Sequence, residues 1–267
     1  MLTQLRETQR AFDSVAGDYD GPSGNNALIQ RFRARMRSAV LEAAPPGSKL
    51  LDLGCGTGLD AEFFAQRGYR VVAVDWSPAM AARTIRRLAE SGLTSRVEVR
   101  QLGAHELEQL PEDSFDGVYS DLGPLNCTPR LAEVAGQLAR VTRPGRRLIA
   151  SVIGRLCPWE LAFFAARGRW QRATARLTRD FVAVPLGGQT VWTRYYTPRE
   201  FEAVFAAAGF RRVGLRSLGL FVPPPYLSAF AERHPRLIDR LQAIDDRCAG
   251  WPVFNQWGDH FLLQMGR

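Results

Sequence analysis

Three glycines stand at alternate positions in Leu50–Asp60, "LLDLGCGTGLD", after an apolar run and before a helical pattern. Such a loop brings backbone close to a ligand at the carboxyl end of a parallel strand. A dinucleotide loop would be spaced G-x-G-x-x-G, and a phosphate loop would end in Gly-Lys-Ser/Thr. Here the spacing is G-x-G-x-G through Gly54, Gly56 and Gly58, with Asp52 two residues ahead. A carboxylate there is awkward for pyrophosphate and suits a ligand with a cationic ammonium group. Asp75 ends the next β-rich run, "YRVVAVDW", 17 residues after Gly58. An acidic side chain at that place accepts hydrogen bonds from both hydroxyls of a ribose. The chemistry is that of a nucleoside site.

The elements that must carry these residues alternate in type. "KLLDLG", "YRVVAVDW", "RVEVRQL", "FDGVYSD" and "RRLIASVIG" read as strands, the last following a turn at Pro144-Gly145. Between them lie helical stretches: "LDAEFFAQRG", then "SPAMAARTIRRLAESG" with Ser77 as N-cap and Pro78 in the first turn, then "TPRLAEVAGQLARVT" with Pro129 at its start. Such alternation means parallel βαβ units in a doubly wound α/β sheet. "TPREFEAVFAAAGF" is a further capped helix, feeding the strand "RRVGLRSL", and "DHFLLQMGR" is a last strand.

Bulk composition narrows the class. The chain has 267 residues, 46% of them hydrophobic, enough for one sizeable core with a smaller attachment. The net charge of +8 invites nucleic acid, yet every basic residue but Lys49 is arginine, and only Arg31, Arg33, Arg35 and Arg37 cluster. That ratio reads as compositional bias. Cys55, Cys127, Cys157 and Cys248 form no C-x-x-C pair, which argues against a zinc site or a disulfide framework. No apolar run approaches a membrane span, and the polar first residues lack a signal peptide's apolar core. A cytoplasmic protein is expected.

"LLDLGCGTG", "VVAVDWS", "LPEDSFDGVYS" and "RPGRRLI", in this order and at these intervals, resemble the successive motifs of class I S-adenosylmethionine (SAM)-dependent methyltransferases. The resemblance covers residues 49–154 closely. It implies a seven-stranded, mostly parallel Rossmann-like sheet, with the last strand antiparallel and a helical cap. The division expected is a helical lid over 1–47, a SAM-binding core over 48–154, a cap insertion over 155–197, and the rest of the core over 198–267 with a second cap insertion at about 221–258. The cofactor becomes S-adenosylhomocysteine on transfer. By the resemblance its contacts come from Asp52, Gly54, Cys55, Gly56, Gly58 and Ser120, from Asp75 at the ribose, and from Trp76 on one adenine face. Many relatives carry an acidic residue where Ala104 stands, so either His105 or Glu106 holds the adenine amino group or that contact is missing. "RAFDSVAGDYD" is similar to a lid segment and puts Tyr19 over the methionine end of the cofactor.

On the acceptor side, an antiparallel last strand would begin at the active-site rim, making His260 and Asp259 candidates for a base and its orienting carboxylate. Asn126 and Cys127 lie in the loop after the fourth strand, Asn126 as an acceptor contact and Cys127 as a space-filler. The segments outside the sheet hold many aromatics, and Trp159, Tyr195, Phe221 and Tyr226 are expected in an apolar acceptor chamber. The acceptor expected is a small, fairly hydrophobic phenol or enol of specialised-metabolite, quinone-like or lipid-derived type, methylated at oxygen or carbon. A nucleic-acid partner is disfavoured: arginines at alternate positions spread around a helix axis. The competing readings are an RNA methyltransferase using "RFRARMRSAV", and a protein of this fold that binds SAM without transfer. The sequence sets no oligomeric state.

Overall fold

Capped helices and β-branched strands alternate along the chain of the computed structural model, which describes residues 2–21 and 24–267. Helices α1 (Leu2–Val15) and α2 (Ala27–Ala43) precede β1 (Lys49–Leu53). Then come α3 (Leu59–Gln66), β2 (Arg70–Asp75), α4 (Pro78–Glu90), β3 (Val97–Gln101), β4 (Phe115–Ser120), α5 (Leu131–Val141) and β5 (Thr142–Ile153). A cap of α6 (Pro158–Ala165), α7 (Trp170–Ala173), β6 (Val182–Leu186) and β7 (Gln189–Thr193) leads to α8 (Pro198–Ala207) and β8 (Arg211–Leu218). After α9 (Ser228–Arg233) and α10 (Pro235–Cys248) comes β9 (His260–Gly266).

Seven strands form one sheet in the order β3-β2-β1-β4-β5-β9-β8. All neighbours from β3 to β5 are parallel, and β9 runs antiparallel to both β5 and β8. The doubly wound sheet and the antiparallel last strand therefore agree with expectation. Alternation along the strands divides the core between two faces. Leu51, Leu53, Val118, Leu148, Ala150 and Leu263 pack with α5 and α8. Leu50, Tyr119, Ile149 and Leu262 pack with α2 and α3 on the other face.

The caps follow local chemistry. Ser77 accepts from the Met80 amide at the start of α4, and Thr197 with Glu200 forms a capping box on α8. Four expectations change. Pro144-Gly145 makes no turn before a strand; β5 starts at Thr142 and absorbs the pair as a register shift against β4. Helix α5 starts at Leu131, leaving Pro129 outside. In the 1–47 segment only α1 roofs the site, because Phe32, Met36 and Val40 of α2 are buried against the sheet. The 155–197 cap is not wholly helical: "VAVPLGGQTVWT" pairs as the β6–β7 hairpin, a strand pattern broken by Gly-Gly.

Among the described residues no helix is long and apolar enough to cross a membrane, and all four cysteines are free thiols. The α8 face depends on Phe201, which is fully buried, stacks on Phe205 at 4.7 Å and meets Phe261 edge-on at 5.8 Å. Phe201→Ala should lower the unfolding free energy by about 3–5 kcal/mol in urea denaturation, and a loss below about 1 kcal/mol would show that this face does not hold the sheet together.

Candidate functional site

A cavity of about 340 Å³ opens at the carboxyl ends of β1, β2, β4 and β5. Its floor is the β1–α3 loop. The Gly54 and Cys55 amides both donate to the Val74 carbonyl, and the Gly56 amide donates to Asp75 Oδ2 at 2.8 Å. The Ser77 amide donates to the other Asp75 oxygen at 2.9 Å. These bonds sew the glycine loop to the end of β2. The three glycines serve different ends. A Cβ on Gly54 would strike Pro124 and one on Gly58 would strike Thr84, whereas one on Gly56 would meet only Tyr19, at 4.0 Å. Gly56 is thus the glycine that keeps the floor open. Gly58 does not line the cavity; it closes α3 against α4.

Asp75 lines the cavity, and burial pushes its carboxyl up to about 6. Asp52 is buried in β1, and no donor among the described residues hydrogen-bonds its Oδ2. Burial and the nearby charge of Asp60 raise its pKa well above the ordinary range. Asp52 and Asp75 both line the cavity. Trp76 and His105 also line the cavity and meet edge to face, with centroids 4.6 Å apart. Glu106 turns away, accepting from the Gly103 amide at 2.9 Å. Ser120 is buried in β4 and does not reach the cavity.

The roof is α1 with the turn that follows it. Gln9 donates to the Trp76 carbonyl at 2.8 Å, and Asp13 accepts from the Ser77 hydroxyl and the Ala79 amide. Asp20 accepts from Thr57 and pairs with Arg87. Tyr19 is thereby held over Gly56, its phenol pushed up to about 12 by burial. On its other side α1 lies on the hairpin, where Trp192 Nε1 donates to Glu7 at 2.6 Å and its amide to Thr8.

The apolar part of the cavity is not lined by the residues expected for an acceptor chamber. Leu5, Phe12, Leu122, Ile153, Val184, Pro185, Val191 and Cys127 supply its apolar walls. Burial pushes the Cys127 thiol up to about 12, as suits a space-filler. Asn126 is a brace outside the lining: its amide donates to the Ile153 and Arg194 carbonyls and accepts from the Ile153 amide. Trp159 Nε1 donates to the Phe221 carbonyl at 2.7 Å, Tyr195 is buried beside Arg176, and Tyr226 is exposed. None of Trp159, Tyr195, Phe221 and Tyr226 lines the cavity.

His260 and Asp259 are also outside it. His260 Nδ1 lies 2.9 Å from Asp259 Oδ2, and the ring meets Phe32 edge-on. Asp259 Oδ1 accepts from Arg176, whose guanidinium also pairs with Glu160 at 2.5 Å. The Arg176 guanidinium and His260 hold the Asp259 carboxyl well below the usual range. This cluster bolts the cap to β9. Cys157, Glu160 and Asp259 come within ligating distance of one another, and Arg176 supplies the cation there.

Arg33 and Asp121 are among the lining residues that the sequence does not single out. Arg33 reaches the cavity from α2 while pairing with Asp60, and Asp121 follows the last residue of β4. The signal for Asp121 is its place, since ligands of open α/β sheets meet residues just past the strands' carboxyl ends. The arginine tract is consumed internally: Arg33 and Arg37 pair with Asp60, Arg31 with Asp239 and Arg35 with Asp246.

Residues 50–145 match a family model described as a methyltransferase domain. The ubiquinone biosynthesis O-methyltransferase of Hahella chejuensis is 37% identical over 151 residues, covering 57% of this chain and 62% of that protein. The demethylmenaquinone methyltransferase of Beutenbergia cavernae is 35% identical over 144 residues, covering 52% and 55%. The chain thus matches little more than half the length of these curated relatives. Among solved structures, the 4+2 cyclase SpnF superimposes with a TM-score of 0.65 at 18% identity, covering 97% of this chain and 96% of that one. The 1,6-didemethyltoxoflavin-N1-methyltransferase of Burkholderia thailandensis, solved with S-adenosylhomocysteine, gives 0.59 at 17% identity, covering 98% and 88%.

The ionisation of Asp75 has a consequence for binding. A carboxyl with a pKa of about 6 is charged above that pH and neutral below it. SAM affinity measured by calorimetry should therefore fall about tenfold between pH 7 and pH 5 through this group alone, and a flat profile would remove Asp75 from the site. His260→Gln should lower thermal stability while leaving kcat, measured at a temperature where the variant is folded, within about threefold of the parent. A hundredfold loss of kcat would return His260 to the chemistry.

Proposed function

We propose that this chain, which belongs to the class I SAM-dependent methyltransferases, transfers a methyl group to a small, largely apolar organic acceptor. The observation that carries this reading is the continuity of the cavity. Its floor is charged and hydrogen-bonding, and the walls beyond β4 are aliphatic and aromatic under the same roof of α1.

The residues present fit the cofactor. Asp52 Oδ2 is a buried carboxylate oxygen with no donor of its own, and a cationic ammonium satisfies it. Arg33 faces the same floor and complements a carboxylate. Asp75, fixed by two backbone amides, keeps lone pairs for ribose hydroxyls, and Trp76 with His105 offers a ring-lined slot for adenine. Tyr19 closes the floor from above. Bound there, SAM supplies an electrophilic methyl group on a positively charged sulfonium. The protein's part is alignment and exclusion of water. Helix α1, latched through Gln9 and Asp13, and the turn after it, latched through Asp20, cover the floor against water. The hairpin and Ile153 hold an apolar body against the same opening.

The walls suit a phenol or enol of quinone-like, lipid-derived or specialised-metabolite type, in keeping with the quinone-pathway names of the relatives. A nucleic-acid acceptor finds little support, since the clustered arginines are spent on Asp60, Asp239 and Asp246. Incubation of the purified protein with methyl-labelled SAM, an organic extract and total RNA of the source cells tests the reading. Label is expected in the organic phase. Label in acid-precipitable RNA would replace the acceptor class, and SAM bound without any transfer would favour a cofactor-binding protein that does not methylate.

A further inference from the structure

Four carboxylates reach the cavity: Asp52, Asp60, Asp75 and Asp121. Two are satisfied by the protein, Asp75 by two backbone amides and Asp60 by Arg33 and Arg37. Asp52 is the counterpart of the cofactor's ammonium in the reading above. Asp121 is left over. Its side chain is only 5% exposed, and among the described residues neither oxygen makes a full hydrogen bond, although the Ser151 hydroxyl beside it favours the ionised form. The nearest cation is Arg33, 3.9 Å away and already paired with Asp60. A buried carboxylate so weakly partnered costs stability, and a ligand that brings a donor would relieve that cost.

Its place along the sheet edge says which ligand. The strand order runs β2, β1, β4, β5. A molecule held by Asp75 at the end of β2 and Asp52 in β1 is followed in that direction by Asp121 after β4, and then by Ile153 of β5 and the apolar wall. Asp121 stands at the border between the charged floor and the acceptor chamber. The chain turns sharply behind it: Leu122 has φ of +60°, left-handed for a branched residue, and its amide donates to Ser151 Oγ at 3.2 Å. Such a backbone is costly and persists where it aims a group.

We propose, on the basis of the methyltransferase reading, that Asp121 is a catalytic residue that accepts the proton of a hydroxyl on a neutral phenol or enol acceptor. As the acceptor's lone pair forms the bond to the methyl carbon, the carbon–sulfur bond breaks and its electron pair stays on sulfur. The hydroxyl proton passes to an Asp121 oxygen and from there to solvent. The acceptor is methylated, the sulfonium becomes a neutral thioether, and Asp121 is restored. An enol reacting at carbon gives up the same hydroxyl proton. Acceptors presenting a carboxylate or phosphate would meet Asp121 as a like charge and are selected against.

Asp121 is suited to the task. Burial and Asp60 push its carboxyl up to about 6, against the opposing influence of Arg33, Ser151 and His260. It is thus ionised at neutral pH yet more basic than an exposed aspartate. The charged and titratable groups facing it are Arg33 from α2, Asp60 from α3, Asp52 from β1 and His260 from β9.

The test compares the parent with Asp121→Asn, which keeps the shape and removes the base. Two readouts are taken: SAM affinity by calorimetry, and transfer of labelled methyl into the organic extract. The variant should bind SAM within about threefold of the parent and transfer label 10²- to 10⁴-fold more slowly. Transfer within threefold of the parent would overturn the proposal and leave the methyltransferase reading standing. A tenfold loss of SAM affinity with unchanged melting temperature would also overturn it, assigning Asp121 to the cofactor's ammonium. A parent that binds SAM and labels nothing would defeat the underlying reading instead. If the variant fails to fold, the parent's transfer rate at saturating SAM decides. An acid limb with an apparent pKa near 6 supports the proposal, and a rate constant from pH 8 to pH 5 refutes it.

Discussion

The clasp of Arg33 and Arg37 on Asp60 is the interaction on which the site depends. Asp60 sits in the first turn of α3, where the helix N-terminus favours negative charge, and both guanidiniums come from α2, one turn apart. Arg37 also donates to the Leu59 carbonyl and covers the Phe63 ring. One helix is thereby pinned to the glycine loop through a buried carboxylate. Removing one partner from such a buried group typically costs about 3–5 kcal/mol, because the charge left behind has no water. The clasp also carries Arg33 to the lining of the cavity, so a packing side chain faces the site.

The molecule's charge is distributed in opposition to its net value. The chain as a whole is +8, while the cavity is lined by Asp52, Asp60, Asp75 and Asp121 with Arg33 and Arg130. Carboxylates thus outnumber guanidiniums in the lining of a cavity inside a cationic protein. The surface arginines in α2 meet Asp239 and Asp246 of α10 and so fasten the second cap. Their number in the sequence says little about partners; their pairing explains where they went.

The sheet was legible because its information is local. Alternation of β-branched runs with capped helices, Ser77-Pro78 and Thr197-Pro198 fixed the elements, and the glycine spacing with Asp52 and Asp75 fixed the floor. The acceptor wall was not legible, because nothing in the period of a helix says which part of the sheet edge it will roof. Trp159 and Tyr226 have the composition of a binding wall and the position of a buttress. Asn126 is polar and in the right loop, yet its amide is exhausted on backbone. His260 with Asp259 has the pairing of a catalytic couple, but Arg176 turns it into a bolt. The hairpin that does wall the chamber announced itself in "VPLGGQTV", where Gly187-Gly188 interrupts a strand pattern.

Strand β9 is the last of the sheet to be made, and it lies between β5 and β8 rather than outside them. β8 has no other partner in the sheet, and the aromatic stack of α8 leans on Phe261. Asp259, just before β9, is where the cap is bolted. Until residues 259–266 have left the ribosome, β8 therefore has nothing to pair with, and Arg176 has Glu160 of its own cap but no carboxylate of the sheet to hold it. The first five strands, with the glycine loop and Asp75, can assemble as they emerge. The floor of the site is laid early in synthesis, and the cap waits for the final strand to lock it in place.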